Sequence, residues 1–264
     1  MTKFTFIDVE SVWDEYLHEA YREIDPTGAG VMQRDGKHRH RLPCKRVIAA
    51  AAFDLLVEAS GAISVGGLRS WIECDYGSDR EIAIELFKHI RDRPQHHVVT
   101  WGGLAAEVPL LNFAAMEHQL VLPPQLQISA RRFNPRSEWL PHVDLGLQVK
   151  GKGRTWTHLT EMGLRLGLPG ELFAGKPDIA EPRTREEWEA MRHRVGTDCI
   201  ITAMIALVYW RANGLISLDQ VATLHNIADW CVRNRVVAEH HVEPLRRFRM
   251  QMLERMGADW DEAA

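Results

Sequence analysis

Hydrophobic and polar residues alternate along the first part of the chain in patterns typical of β-strands. Residues 3–10 combine aromatic and β-branched side chains and end in two acids, which predicts a central strand with carboxylates at its C-terminal end. Residues 46–57 and 62–73 predict two further strands joined in a hairpin. The four alanines at 49–52 would also suit a helix, so the sequence leaves the conformation of that segment open.

A helix, a short strand and a second helix are predicted next. Ser78 and Glu81 form a capping-box pattern, and the apolar residues that follow have helical spacing up to Pro94. Residues 98–101 predict a short buried strand, which leads through two glycines into a helical pattern at 104–120. Ligands commonly bind at such strand–turn–helix junctions in α/β folds, which makes residues 102–107 candidates for a site.

Helical patterns dominate the C-terminal part of the chain. The remaining predicted elements are a proline-containing connection at 121–141, a short strand at 142–149, and helices at 159–168, from Thr184 to about Gly196, at 198–212, from Ser217 onward and at 242–256. Gly196 is expected to end one helix and Thr197 to cap the next. This order predicts an α/β domain with a mixed sheet at residues 1–216, and a helical C-terminal extension at 217–264 packed on it.

Composition limits the class of protein. The chain has 264 residues, of which 45% are hydrophobic and 26% charged, and these values exclude a disordered or fibrous protein. The longest apolar run, at 199–210, is too short for a membrane span, so no membrane partner is predicted. The four cysteines form no C-x-x-C pair and the N-terminus resembles no leader, which predicts reduced thiols and a cytoplasmic location.

The charge of the chain argues against a nonspecific nucleic-acid coat protein, because the formal net charge is −4. Basic residues nevertheless cluster at 34–46, 131–136 and 150–154. Each cluster is either a set of solvated loop charges or a local contact for an anionic partner. The residues His38, His40 and Cys44 suggest a partial zinc site, which we set aside because a fourth ligand is missing.

Asp8 and Glu10 are the first candidate metal ligands. They lie two residues apart on a predicted strand, so their side chains point to the same face. Two buried acids are costly unless a cation neutralises them, and an all-oxygen donor set favours Mg²⁺ or Mn²⁺. A solvated strand end explains this pair of acids equally well when they are considered alone.

Three motifs in order resemble those of the DEDD 3′→5′ exonucleases of the RNase H-like superfamily. They are FIDVE at 6–10, VTWGGLAAEVPLL at 99–111 and the His193-x4-Asp198 spacing. Lesser matches are Leu42-Pro43, HVDL at 142–145, the segment 159–170 with its GLPG ending, and KPD at 176–178. The chain is most similar to the predicted 3′-5′ exonuclease family related to the proofreading domain of family-B DNA polymerases, over roughly residues 3–216.

The resemblance implies an RNase H-like mixed β-sheet flanked by helices. It also implies hydrolysis of phosphodiester bonds at the 3′ end of single-stranded DNA, and RNA is an alternative substrate. It implies two Mg²⁺ or Mn²⁺ ions held by Asp8, Glu10, Glu107 and Asp198. The implied base is His193, and the implied substrate-binding residues are Trp13, Gly102, Gly103 and Arg194. Asp144 is expected to cap a helix beside the site rather than to bind metal. A protein partner is possible, and the oligomeric state is not indicated.

Two departures from the family pattern favour a different function. The family carries Asn-Gly-x-x-Phe-Asp in its second motif, where this chain has GGLAAE at 102–107. The similar family also has Tyr four residues before the final Asp, where this chain has Arg194, which cannot act as a base. The alternative function is therefore a catalytically impaired exonuclease-like module that binds nucleic acid or a protein partner. A third possibility is an unrelated α/β domain in which the acids are structural.

Overall fold

A computed structural model describes residues 1–30, 41–127, 139–174 and 181–262, with side chains described up to residue 257. Several sequence-based predictions lie outside the described residues: the basic segments at 34–39 and 131–136, the His38 and His40 part of the zinc hypothesis, and the KPD match at 176–178. The fold and the four acids lie within the described part.

The described chain contains five strands and ten α-helices. The strands are β1 (Thr2–Trp13), β2 (Lys45–Val57), β3 (Ile63–Ile72), β4 (His96–Thr100) and β5 (His142–Asp144). The helices are α1 (Glu15–Ile24), α2 (Pro26–Ala29), α3 (Glu73–Tyr76), α4 (Asp79–Arg91), α5 (Glu107–Glu117), α6 (Leu145–Lys150), α7 (Leu159–Arg165), α8 (Arg185–Ala212), α9 (Gln220–Asn234) and α10 (Glu239–Glu262).

The strands form one mixed sheet in the order β3-β2-β1-β4-β5. β2 runs antiparallel to both β1 and β3, whereas β1, β4 and β5 are parallel to one another. Helices cover both faces of this sheet and dominate the C-terminal part. The strand order and directions are those of the RNase H-like fold, so the predicted fold class is confirmed.

The alanine-rich segment 49–52 is a strand, and the helical alternative is wrong. All four alanines are fully buried in the middle of β2, where odd and even positions face two different cores. One core contains α8 and the C-terminal helices, and the other contains α4 and α5. A strand buried on both faces is apolar without alternation, which explains why its pattern resembles that of a helix. The small side chains let helices approach both sides of the sheet.

α8 is one unbroken helix of 28 residues, so the predicted end at Gly196 is wrong. Thr184 caps its start, as the sequence indicates. Gly196 instead allows close packing, because a Cβ at this position would lie 3.0 Å from Leu68 Cδ2 on β3. By length and composition α8 is able to cross a membrane, yet 78% of its apolar window is buried inside the protein, as in the core helix of a globular domain.

Two strand boundaries also differ from the prediction. β1 continues to Trp13, so Asp8 and Glu10 lie within the strand and not at its end. β5 is only three residues long, and α6 begins at Leu145 because the Asp144 side chain accepts a hydrogen bond from the Leu147 N–H. The α1 helix was not predicted, and none of its residues is buried.

A buried polar cluster surrounds Asp54, in the half of β2 that pairs with the start of β1. The Asp54 carboxylate accepts a hydrogen bond from Thr5 Oγ1 at 2.7 Å and one from Arg93 Nε at 2.8 Å, and it lies 3.2 Å from His89 Nε2. Burial alone would raise the pKa of Asp54, but hydrogen bonds from His89 and Thr5 and the charge of Arg93 hold this pKa below its usual range.

We expect Asp54→Ala to lower the free energy of unfolding by about 3 kcal/mol at pH 7, because it leaves buried donors and the Arg93 charge without their carboxylate. The stabilisation is present above the carboxyl's ordinary pKa and is lost as the pH falls through the lowered value. Urea unfolding at pH 7 and pH 3 measures both effects. Asp92→Ala, an exposed change at the end of α4, is the control and should shift stability by less than about 0.5 kcal/mol. An equal effect of both substitutions would contradict the prediction.

Candidate active site

Three carboxylates from two elements converge on one point. Asp8, Glu10 and Asp198 each offer a carboxylate oxygen, and these three atoms all lie within 4.8 Å of one another. Asp8 and Glu10 come from β1 and Asp198 from α8. We call these three residues the carboxylate cluster.

The two acids of β1 lie where the strand loses its neighbour on one side. β1 pairs with β4 only through residues 3–6, whereas its pairing with β2 continues to Trp13. Asp8 and Glu10 follow Phe4 and Phe6 at every second position, and both of these rings belong to the core on the α8 side. Because side chains alternate along a strand, the acids face α8 beyond the end of β4. A register shift between Glu10 and Ser11 follows the second acid directly.

α8 supplies both a carboxylate and a cationic side chain to the site. Arg194 precedes Asp198 by four residues, so the two side chains leave neighbouring positions on one face of the helix. Arg194 Nε lies 2.7 Å from Glu10 Oε1, and the Arg194 and Glu10 side chains are only 21% and 11% exposed. Arg194, which the resemblance implies as a substrate-binding residue, therefore contacts one of the proposed metal ligands.

Glu107 lies beside the cluster, at the first residue of α5. It is 8% exposed, and its Oε2 is a buried atom for which the described residues offer no hydrogen-bond partner. Burial raises the pKa of Glu107 to about 7, and the negative charges of Asp144, Glu10 and Asp198 act in the same direction. The charges of the cluster thus affect the pKa of Glu107. Glu107 is nevertheless not among the three residues whose oxygens lie within 4.8 Å of one another.

The turn that leads to Glu107 is held by Asp144. Its two carboxylate oxygens accept hydrogen bonds from the N–H groups of Gly102 and Leu104, both at 2.9 Å. Asp144 also caps α6, so the prediction of a capping residue is confirmed. Glycine is required at 102 by a φ of +74° and at 103 because a Cβ would lie 2.2 Å from Thr100 Oγ1. The two glycines therefore shape the turn, and a contact with substrate stays a prediction.

The proposed base, His193, and the proposed substrate-binding residue Trp13 are not part of the carboxylate cluster. His193 is half-buried on α8, and because this helix continues through Gly196, His193 and Asp198 belong to the same helix. Five residues along an α-helix correspond to a rotation of about 140°, so His193 and Asp198 leave different faces. Trp13 is half-buried at the end of β1, where its ring centroid lies 4.5 Å from that of His18.

The sequence did not single out Trp156, an aromatic residue near Gly102. Trp156 is 39% exposed, and its Cζ3 lies 3.7 Å from the position that a Cβ on Gly102 would take. Lys150 Nζ lies 4.6 Å from the centre of the same ring. The available signal was an aromatic residue two positions after the basic run at 150–154, a combination typical of nucleic-acid contacts.

A second group of possible ligands joins α4 to α5. Asp79, Glu117 and His118 each offer one atom within 4.8 Å of the others. His118 Nε2 lies 3.1 Å from Asp79 Oδ2, and Glu117 is exposed. A hydrogen bond between the two helices accounts for this group without an ion.

The carboxylate cluster fits a hard divalent cation. Its donors are all oxygens, which is the ligand set of Mg²⁺ and Mn²⁺. The orphaned Oε2 of Glu107 adds a buried acceptor beside the cluster. The chemistry of the donors thus agrees with the cofactor that the sequence resemblance implies.

No protein-family model matches the chain, and no curated protein matches it in sequence. Among solved structures, the zinc-bound E. coli exonuclease I complex with single-stranded DNA is 11% identical over 86% of this chain and 44% of that chain, with a TM-score of 0.44. Exonuclease I in its apo form is 12% identical over 85% of this chain and 45% of that chain, with a TM-score of 0.40. The chain therefore spans less than half the length of these enzymes, and similarity at this level transfers neither activity nor site residues.

We expect Glu107→Gln to stabilise the metal-free protein at pH 8. The folded-state pKa of about 7 lies above the carboxyl's ordinary pKa of 4.5, so folding favours the protonated form and wild-type stability falls as the pH rises between these values. The variant should exceed wild type by at most about 3 kcal/mol at pH 8 and by little at pH 4. Urea unfolding in the presence of a chelator measures the difference, and Glu117→Gln at the exposed end of the same helix is the control. A gain that does not depend on pH would contradict the assignment of this pKa.

Proposed function

We propose that this chain is a divalent-metal-dependent 3′→5′ exonuclease of the DEDD type that acts on single-stranded DNA. The observation that carries the proposal is the convergence of the Asp8, Glu10 and Asp198 carboxylates beside Glu107. Acids this close together repel one another. In nucleases, such clusters bind divalent ions that contact the phosphodiester. The cluster also matches the residues and the chain order of the exonuclease motifs.

In this proposal Asp8, Glu10, Glu107 and Asp198 hold Mg²⁺ or Mn²⁺, with two ions present during turnover. The ions would supply a nucleophile at neutral pH and neutralise charge on the leaving 3′ oxygen. The protein's own contribution is to fix the ligands before substrate arrives. β1 holds two of them, α8 holds Asp198, and the turn anchored by Asp144 sets the start of α5 and therefore Glu107.

The surroundings of the cluster favour a single strand as the substrate. Trp156, beside Gly102, offers an aromatic face at the edge of the site, and Lys150 supplies a positive charge against that ring. Unstacked bases bind to such faces, whereas bases inside a duplex are not accessible to them. We propose that the terminal nucleotide lies between this edge and the carboxylate cluster, with Trp13 on the β1 side.

The ion pair between Arg194 and Glu10 favours a second candidate function. A guanidinium at 2.7 Å already compensates one proposed metal ligand. A module that binds single-stranded nucleic acid, or a protein partner, without cleaving DNA would tolerate this arrangement. Hydrolysis of an oligonucleotide separates this candidate from the exonuclease.

We expect the wild-type chain with Mg²⁺ or Mn²⁺ to shorten a 5′-labelled DNA oligonucleotide one nucleotide at a time from its 3′ end. Asp8→Asn should abolish this activity, since it removes a shared metal ligand, and should leave the melting temperature of the metal-free protein unchanged or higher, because one charge leaves a repulsive cluster. Gel analysis of the products and thermal unfolding measure the two effects. The same oligonucleotide in RNA tests the sugar preference.

The control variant is Asp92→Asn, an exposed acid outside the site, which should retain full activity. A closed single-stranded circle should resist the enzyme, because it has no 3′ end. Equal activity of Asp8→Asn and wild type would exclude the proposed site. Tight binding of the oligonucleotide without any cleavage would support the non-catalytic module instead.

We expect His193→Gln to lower turnover about 10²–10⁴-fold while the affinity for the oligonucleotide is unchanged, if His193 accepts the proton of the attacking water. Single-turnover rates measure the turnover, and binding of the labelled oligonucleotide measures the affinity. Because His193 leaves a different face of α8 from Asp198, full turnover of the variant would show that no imidazole base is used.

A further inference from the structure

The position of Arg194 affects how many ions the carboxylate cluster can hold. Its guanidinium nitrogen lies 2.7 Å from Glu10 Oε1, and both side chains are largely shielded from water. A charge pair in such an environment is screened less by salt than an exposed pair. Arg194 therefore acts on the cluster as a permanent cation, since arginine does not lose its proton in proteins.

Other arginines in the first half of α8 are directed elsewhere. Arg185 and Arg192 both pair with Asp75 of α3, and both also pair with Glu189 on their own helix. These contacts lie among exposed and half-buried side chains at the surface. The contrast shows that Arg194 is not one of a set of surface charges, because its partner is an acid of the cluster.

The charges of the cluster can be counted. Asp8, Glu10 and Asp198 contribute three negative charges when ionised, and Arg194 offsets one of them at close range. One divalent ion compensates the two that remain. A second divalent ion near Glu10 would have to approach a guanidinium that already contacts this carboxylate, and like charges at such distances repel strongly.

We propose that Arg194 takes the place of one divalent ion in the substrate-free protein, so that the cluster binds a single ion until Arg194 leaves Glu10. This inference rests on the proposed metal-dependent function and adds a positioning residue to it. The phosphate of an incoming strand is a chemically suitable partner to draw Arg194 away, because guanidinium groups bind phosphate in a bidentate manner. Entry of the second ion is then coupled to substrate.

The test is the number of Mn²⁺ ions bound by the full chain after chelator treatment. Titration calorimetry gives the stoichiometry, and the electron paramagnetic resonance signal of free Mn²⁺ gives it independently. All variants carry His118→Gln, which disables the group of Asp79, Glu117 and His118 as a competing site. In this background we expect one ion for the chain with Arg194 intact, and two ions for Arg194→Gln.

The first ion should also bind at least about tenfold more tightly to Arg194→Gln, because one nearby positive charge is removed. Arg194→Lys retains the charge and should keep one ion. Arg192→Gln makes the same change of net charge two residues away, and it should keep one ion with less than about a threefold change in affinity. Circular dichroism and urea unfolding verify that each variant is folded.

The outcomes separate this inference from the proposed function. Two ions bound while Arg194 is intact would overturn the inference and leave the metal-dependent function standing. One ion bound both with and without the Arg194 charge would do the same. Absence of Mn²⁺ binding in every variant would overturn both the inference and the metal-dependent function. One ion bound by the chain with Arg194 and by Arg194→Lys, together with two ions bound by Arg194→Gln, would support both.

Discussion

The packing of α8 across the sheet is the constraint on which the candidate site depends. Nearly every residue from Val195 to Val208 is buried, and Asp198 is the half-buried exception within this stretch. Each fully buried aliphatic side chain contributes about 1.5–3 kcal/mol, and α8 contributes many of them. This burial holds Asp198 against Asp8 and Glu10 despite the repulsion among the three carboxylates. Hydrophobic packing therefore positions the three carboxylates of the cluster.

Two features reduce the negative charge of the candidate site. Arg194 lies against Glu10, and the raised pKa of Glu107 leaves a fraction of its carboxyl groups protonated near neutral pH. Both features lower the free-energy cost of holding acids together with little water. Under the proposed function both features would change on metal binding, because the ion would replace the guanidinium charge and favour loss of the Glu107 proton. In that proposal the guanidinium of Arg194 and the proton of Glu107 would compete with the ion for the carboxylates.

Local signals predicted much of the fold, and contacts between distant segments account for the errors. The starts of α4 and α8 were predicted because Ser78 and Thr184 cap them through residues three positions away. The sequence does not predict the true end of β1, because Trp13 is held in the strand by pairing with β2, more than thirty residues along the chain. The spacing of Asp8 and Glu10 on a strand marks them as candidate ligands, but Glu107 and Asp198 could be named only from their motifs, because the approach of α5 and α8 to β1 is a tertiary property. The contact of Arg194 with Glu10 left no local signal at all.

Gly196 shows how one such error changes the chemistry of the site. A helix end at this glycine would free His193 from the helix and bring an imidazole toward the acids. In the unbroken helix, the residue four positions before Asp198 is rotated from it by about 40°, and the residue five positions before by about 140°. The cluster therefore faces Arg194, whereas His193 leaves a different face of α8. Because a Cβ at Gly196 would crowd Leu68, the same glycine lets α8 approach the sheet closely while the helix continues. Close approach and helical phase together place the Arg194 cation beside the carboxylates.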